Sequence, residues 1–166
     1  AELTIENTRS DAIDLDFVRG TFEKIICKNI GNDCFDTSES TSQVIELHAD
    51  NIADKVLSAG ENSKMEIEEL LALNSEIAAV AKDGSTLSIA SARLNKVKLA
   101  LAAFVKKAEY QNASISIDRI FGDGLLGLIS PNAEVQAPSG LEIKLYPSDQ
   151  IENMMYGNIY GEKTKK

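Results

Sequence analysis

The sequence predicts an all-β solenoid, a stack of similar coils, and three observations carry that prediction. An asparagine returns at Asn7, Asn29, Asn51, Asn74 and Asn95, at a spacing of about two dozen residues or slightly less, which is the range of solenoid repeats. The eight-residue segments NTRSDAID, NIGNDCFD, NIADKVLS, NSEIAAVA and NKVKLALA, each starting at one of these Asn, align without a gap. Their seventh position is always apolar (Ile13, Phe35, Leu57, Val80, Leu101) and their sixth mostly small (Ala12, Cys34, Val56, Ala79, Ala100). Finally, the chain is 43% hydrophobic but only 5% aromatic and lacks Trp, which suits a narrow core of Ile, Leu, Val and Ala that each coil buries against its neighbours.

Each repeat opens with a short alternating segment, such as Leu3-Thr4-Ile5, Val44-Ile45-Glu46-Leu47, Met65-Glu66-Ile67, Leu87-Ser88-Ile89 and Ile115-Ser116-Ile117. Alternation of period two marks a half-buried strand. The Asn follows, because Asn tolerates the left-handed conformation that a sharp bend requires. A second strand comes next (Ala12-Ile13-Asp14-Leu15, Cys34-Phe35-Asp36-Thr37), and a polar turn closes the coil at Arg19-Gly20, Glu39-Ser40, Glu61-Asn62-Ser63 and Asp83-Gly84-Ser85. The fifth coil carries an insertion, residues 106–112, of the kind that projects from solenoids and carries binding. Coils are expected over residues 1–132. A cap strand or last coil is expected over 133–151, with its strand at 141–145, and a tail over 152–166. Ala1 begins directly in a strand with no cap before it, so an exposed coil edge there is expected to be covered by the rest of a longer chain or by another subunit.

On these coils the chain resembles a right-handed parallel β-helix of the pectin-lyase-like type, over residues 1 to about 130. The resemblance implies about six to seven coils and an internal Asn ladder, in which stacked amides hydrogen-bond along the axis.

Composition narrows the partners. The formal charge is −9, from 26 acidic and 17 basic residues. That disfavours nucleic acid, whose phosphates demand Lys and Arg, and anionic membrane surfaces. No apolar run is long enough to span a bilayer. Cys27 and Cys34 can be buried thiols in the stack or a disulfide, and the sequence leaves both open.

Candidate chemistry follows from the columns. With Ile13, Phe35 and Leu57 inward, Asp14, Asp36 and Ser58 point outward on coils about 4.8 Å apart, and Asp16 and Ser38 form the next outward pair. Asp11, Asp33 and Lys55 precede the small column. The crowding of Asp11, Asp14, Asp16, Asp33 and Asp36 can be relieved in three ways. The acids can form a solvated stripe offset by Lys55. A cation such as Ca²⁺ can be held by Asp14, Asp16 and Asp36. One carboxyl can keep its proton, the arrangement used in acid/base catalysis. SDAID followed one coil later by GNDCFD resembles the paired acids of polygalacturonase-like glycosidases, which implies Asp11 and Asp33 as the catalytic pair. The chain departs from that family in lacking its His between glycines and its Arg-x-Lys. The only His, His48, lies on another strand and reads as a surface residue. A lyase would instead draw its base from Lys55, Lys82 or Lys106, with Glu61 and Asp83 nearby. Lys82 aligns with Leu15, Thr37, Ala59 and Ala103, an inward column, which requires the coil to turn there so that the ammonium reaches solvent. Lys82 with Asp83, and Lys106 and Lys107 with Glu109, are expected to be surface ion pairs that also mark a binding region. The expected protein is an extracellular or cell-envelope module that binds carbohydrate or packs within a larger surface protein. The alternative is a polysaccharide-processing enzyme using the acidic patch, and it requires a groove with walls.

Overall fold

A computed structural model describes residues 2–161 as a right-handed parallel β-solenoid of about six turns. Each turn supplies one long and one short strand. The long-strand sheet has the order β1 (Glu2–Thr8), β3 (Arg19–Ile30), β5 (Thr41–Ile52), β7 (Lys64–Leu73), β9 (Thr86–Asn95), β11 (Ser114–Phe121), β13 (Glu134–Gln136). The short-strand sheet stacks β2 (Ile13–Asp16), β4 (Phe35–Ser38), β6 (Lys55–Gly60), β8 (Ile77–Lys82), β10 (Leu99–Phe104), β12 (Leu126–Ile129) and β14 (Glu142–Leu145). Every pairing is parallel, each strand joining the equivalent strand of the next turn. In β5 the buried set runs Ser42, Val44, then Leu47, Ala49. The alternation slips once, so the long strand bends around the core there.

The core lies between the sheets. Ile25, Val44, Leu47, Met65, Leu87 and Ile89 of the long sheet pack against Phe35, Leu57, Ala79 and Leu101 of the short one. Alanine is frequent because the two sheets leave only a narrow slot. Ala59, Ala81 and Ala103 stack in register and are fully buried.

The bend column is nearly as expected. Asn7, Asn29, Asn51 and Asn74 all have positive φ, between 49° and 59°. The fifth bend residue is Lys96 at φ 54°, not Asn95, which pairs with Leu73 inside β9. From Asn74 onward the bend also reaches the short strand one residue sooner. Leu57 therefore pairs with Ala79 instead of Val80, and Ser58 with Val80. A slip of one residue exchanges the faces of a strand, so Ala79 faces the core and Val80 the outside. The same slip resolves Lys82. Ala81 takes the inward place beside Ala59 and Ala103, and Lys82 pairs with Phe104 on the outer face.

The internal Asn ladder expected from the resemblance is not what the hydrogen bonds describe. The Asn side chains are exposed. Asn51 Nδ2 donates to Asn29 Oδ1 (2.9 Å) and Asn29 Nδ2 to Asn7 Oδ1 (3.0 Å). The series then breaks, because Asn74 donates to Asp50 Oδ1 instead (2.7 Å). A bend that turns its side chains outward places them in water, not in the core.

Buried serines close the opposite turn. Ser40, Ser63 and Ser85 are almost fully buried. Ser40 Oγ donates to Leu15 O, Ser63 Oγ accepts from Ser40 N, and Ser85 Oγ donates to Ala59 O, so each hydroxyl satisfies backbone groups of a neighbouring turn. Cys27 and Cys34 form a disulfide that ties β3 to the turn before β4. The two alternatives left open by the sequence thus resolve to the bridge.

Residues 152–156, expected in a tail, belong to a helix, α1 (Ser148–Tyr156). Pro147 precedes it, Asp149 in its first turn complements the helix dipole, and Ile151 and Met155, one turn apart, are its buried face. α1 stops at Gly157, where a Cβ would meet Asn153 O at 2.3 Å. Ala1 and residues 162–166 lie outside the described residues.

Candidate functional site

The outer face of the short-strand sheet changes chemistry halfway along the solenoid. One outward column reads Asp14, Asp36, Ser58, Val80, Ala102, Leu128, each paired with the next. The column beside it reads Asp16, Ser38 and Gly60 on β2, β4 and β6, then Lys82 paired with Phe104. The later turns are apolar because α1 covers them. Ile151, Met155 and Tyr160 form a second core with Ile77, Val80, Leu99, Ala102, Phe104 and Leu128. The earlier turns are polar: Asp14 and Asp16 are exposed and Asp36 and Ser38 half-buried, while Ser58 and Gly60 at the boundary are buried. The helix ends at the boundary, with Tyr156 over it.

Beneath that end lies a buried charge cluster. Lys55 Nζ is 2.6 Å from Asp54 Oδ2 and 3.3 Å from Asp33 Oδ1, and all three side chains are buried. Asp33 Oδ1 also accepts from Lys55 N (2.9 Å), repeating one turn later what Asp11 Oδ1 does for Asp33 N (2.8 Å). Two carboxylates here share one ammonium. Burial pushes Asp33 up to about 7, against the pull of Lys55, with Asp54 adding to the rise. Burial raises Asp54 as well. Burial would lower Lys55, but Asp33 and Asp54 hold it above its ordinary value. The cluster therefore binds a proton that open carboxylates would release. Among the described residues, Asp54 Oδ1 and Ser58 Oγ here, and Ser42 Oγ on the long-strand sheet, are buried without a hydrogen-bond partner.

Lys82 and Lys106 complete the boundary. Lys106 Nζ lies 4.5 Å, and Lys55 Nζ 5.1 Å, from the centroid of the Tyr156 ring, within cation–π range. The Lys82 side chain crosses Gly60, where a Cβ would stand 3.7 Å from its Cε. Burial pulls Lys82 down, while Tyr156 and Asp36 push it up by more, so it stays charged.

The insertion forms a wall. Asp83, buried, accepts from Lys106 N (2.6 Å) and Lys107 N (2.8 Å). Lys107 Nζ then bonds Glu61, which also accepts from Ser38 Oγ (2.6 Å). Tyr110 OH reaches Glu39 Oε1 at 3.5 Å. The loop thus runs back toward earlier turns, and with the end of α1 it flanks the open polar columns. Burial works against Glu61, yet Lys107 and Ser38 hold it below the usual carboxylate range.

The sequence-predicted residues therefore separate. Asp33, Lys55, Lys82 and Lys106 gather around Tyr156 and Asp36. Asp11 is bound to Asn32 Nδ2 (2.7 Å) and Asp33 N as a link between turns. Asp14 and Asp36 pair across neighbouring strands with Asp16 alongside. Burial, then Asp36, Asp16 and Asp11, raise Asp14. Two expected ion pairs are replaced. Asp83 caps backbone amides and does not pair with Lys82, and Lys107 reaches Glu61 and not Glu109, which stays exposed on the loop. His48 is half-buried on the long-strand sheet, 3.7 Å from Glu46. Sequence reading passed over Asp54 and Tyr156. The signals for them were an acid directly before Lys55 and the apolar i, i+4 spacing of Ile151 and Met155 that brings the end of α1 over the sheet. Among the described residues, no group of three or more His, Cys, Asp or Glu is spaced to hold one metal ion.

Comparison with protein-family models, with curated proteins and with solved structures found no match to this chain, so fold and site rest on the geometry above.

Proposed function

We propose that this chain is an extracellular β-solenoid module that binds a polysaccharide along the open polar half of its short-strand sheet. One observation carries the reading. The outward columns turn from apolar to polar where α1 ends, and the polar part is bordered by Tyr156 and by the adjoining 105–113 loop, whose Lys107 and Tyr110 reach Glu61 and Glu39. Parallel strands set polar groups at a fixed interval, a periodic surface that a repeating polymer can follow. Carboxylates, Ser38, Tyr110 and Tyr156 supply hydrogen bonds and ring faces for hydroxylated rings. The Cys27–Cys34 disulfide fits an oxidising compartment. Affinity electrophoresis through gels containing different polysaccharides tests the proposal. Retardation by at least one polymer, lost when Tyr156 is replaced by Ala, supports it. Free migration through every gel, or retardation unchanged by Tyr156→Ala, refutes it.

A specific feature favours catalysis as a second reading. The site holds an acid that keeps its proton to about pH 7 beside ammonium groups held charged, and groups pushed apart in this way are the material of acid/base chemistry. An enzyme would release new chain ends from the bound polymer over time, and a binding module would leave its length unchanged.

A further inference from the structure

We propose that the boundary between the two halves is an anionic subsite, in which Lys82 and Lys106 receive the carboxylate or sulfate of an acidic polysaccharide. This rests on the polysaccharide reading above and deepens it.

The lysines of the site differ in their partners. Lys55 is taken up by Asp33 and Asp54, and Lys107 by Glu61. Among the described residues, the ammonium groups of Lys82 and Lys106 have no ion pair or hydrogen bond, and Lys106 has only the ring of Tyr156. Lys82 is half-buried, and an ammonium withdrawn from water without a counter-ion is costly unless something supplies one. The groups that face it are Tyr156, Asp36, Lys55, Asp33, Asp54 and Glu61. Asp33 and Asp54 are shared with Lys55 and Glu61 with Lys107, which leaves Asp36 as the one of these acids not held by another lysine, and Asp36 also repels Asp14.

The floor of the subsite adds a second observation. Ser58 lies between Asp36 and Val80 in the same outward column, and its buried Oγ has no partner. A buried hydroxyl without a partner is unusual, and it can donate to an anion held by Lys82. Lys82 lies over Gly60, where a Cβ would stand in ordinary contact with its Cε at 3.7 Å. The polar columns extend from this point over Ser38, Asp36, Asp16 and Asp14, so the uncharged parts of the polymer would continue toward the first turns while its acidic group sits at the lysines.

Binding is measured in EDTA, which removes bridging cations, with four probes: a polyuronate methyl-esterified except for a few scattered carboxylates, the same polymer fully methyl-esterified, a sparsely sulfated polysaccharide and a neutral one. Lys106→Gln tests the exposed lysine without endangering the fold, and circular dichroism checks Lys82→Gln. The expected result is binding of an acidic polymer that weakens as salt is added. Each lysine variant should lose roughly ten- to hundredfold in affinity, the cost of a charge-assisted hydrogen bond. Asp36→Asn should bind more tightly, which no purely structural role of Asp36 predicts. The polyuronate and sulfate arms identify which anion is taken. Equal binding of the esterified polymer, or Lys106→Gln affinity equal to that of the natural chain, overturns the anionic subsite and leaves the polysaccharide reading standing. Binding of none of the four probes overturns both.

Discussion

Replacing Lys55 with Met converts a buried triad into two buried carboxyls with no cation. Lys55 is 3% exposed and touches both Asp33 and Asp54, so solvent does little to screen the loss. Removing one partner of such a pair costs about 3–5 kcal/mol. For a chain of this length that lowers the thermal midpoint by roughly 6–20 °C. The deficit must depend on pH. In the natural chain Asp33 holds its proton to about 7, above its unfolded value of 3.8. The folded state therefore binds a proton that the unfolded state has released, and stability falls as pH rises from 3.8 toward about 7 and levels off above it. Lys55 is shifted upward, so its contribution is fully present below its ordinary value of 10.5 and is unaffected in this range. Without Lys55 both carboxyls keep protons to higher pH. The variant is then close to the natural chain at pH 5 and furthest below it at pH 8. Urea unfolding at the two pH values measures this. The triple variant Asp33→Asn, Asp54→Asn, Lys55→Met should recover most of the loss, since no charge remains buried. A deficit under ~1 kcal/mol at pH 8, or one equal at both pH values, would refute the reasoning.

Three further outcomes follow from the same geometry. Asp14→Asn removes the repulsion from Asp36 and Asp16. Asp14 is exposed, so the gain at pH 7 is screened to about 0.2–1 kcal/mol. The gain disappears as pH falls through the raised pKa of Asp14, where the natural chain is protonated too. Reducing Cys27–Cys34 opens a loop of sequence separation 7 and should cost about 2–3 kcal/mol by loop-closure entropy, read as a shift of the denaturant midpoint. Asp83→Ala strands the amides of Lys106 and Lys107. It should cost about 1–3 kcal/mol, and trypsin should cut after these lysines faster than in the natural chain.

The fold was legible because the solenoid imposes the same local demand on every turn. Asn7, Asn29, Asn51 and Asn74 all serve a left-handed bend, and Ile13, Phe35 and Leu57 all face the core. What misled was one residue of loop length. From Asn74 onward the bend shortens, and an alignment without gaps then assigns Val80 inward and makes Lys82 look anomalous. Strand pairing fixes the register by packing, and packing does not show in a repeat of types. The site was partly legible. Asp33 and Lys55 could be placed on adjacent turns by counting, but their contact with each other and with Asp54 depends on side-chain direction at a turn. The i, i+4 spacing of Ile151 and Met155 marks a helix with one apolar face but not the sheet face it covers, which only the apolar column Val80, Ala102, Leu128 reveals, so Tyr156 was legible as part of a helix and not as part of the site.

Hydrogen–deuterium exchange with and without a bound polysaccharide tests the placement of the site most directly. Protection confined to residues 14–16, 36–38, 54–61, 82–83 and 105–111 and to the end of α1 is the predicted result. Protection on the outer face of the long-strand sheet, around Gln43, Glu66 and Ser88, with none around Lys82, would contradict it.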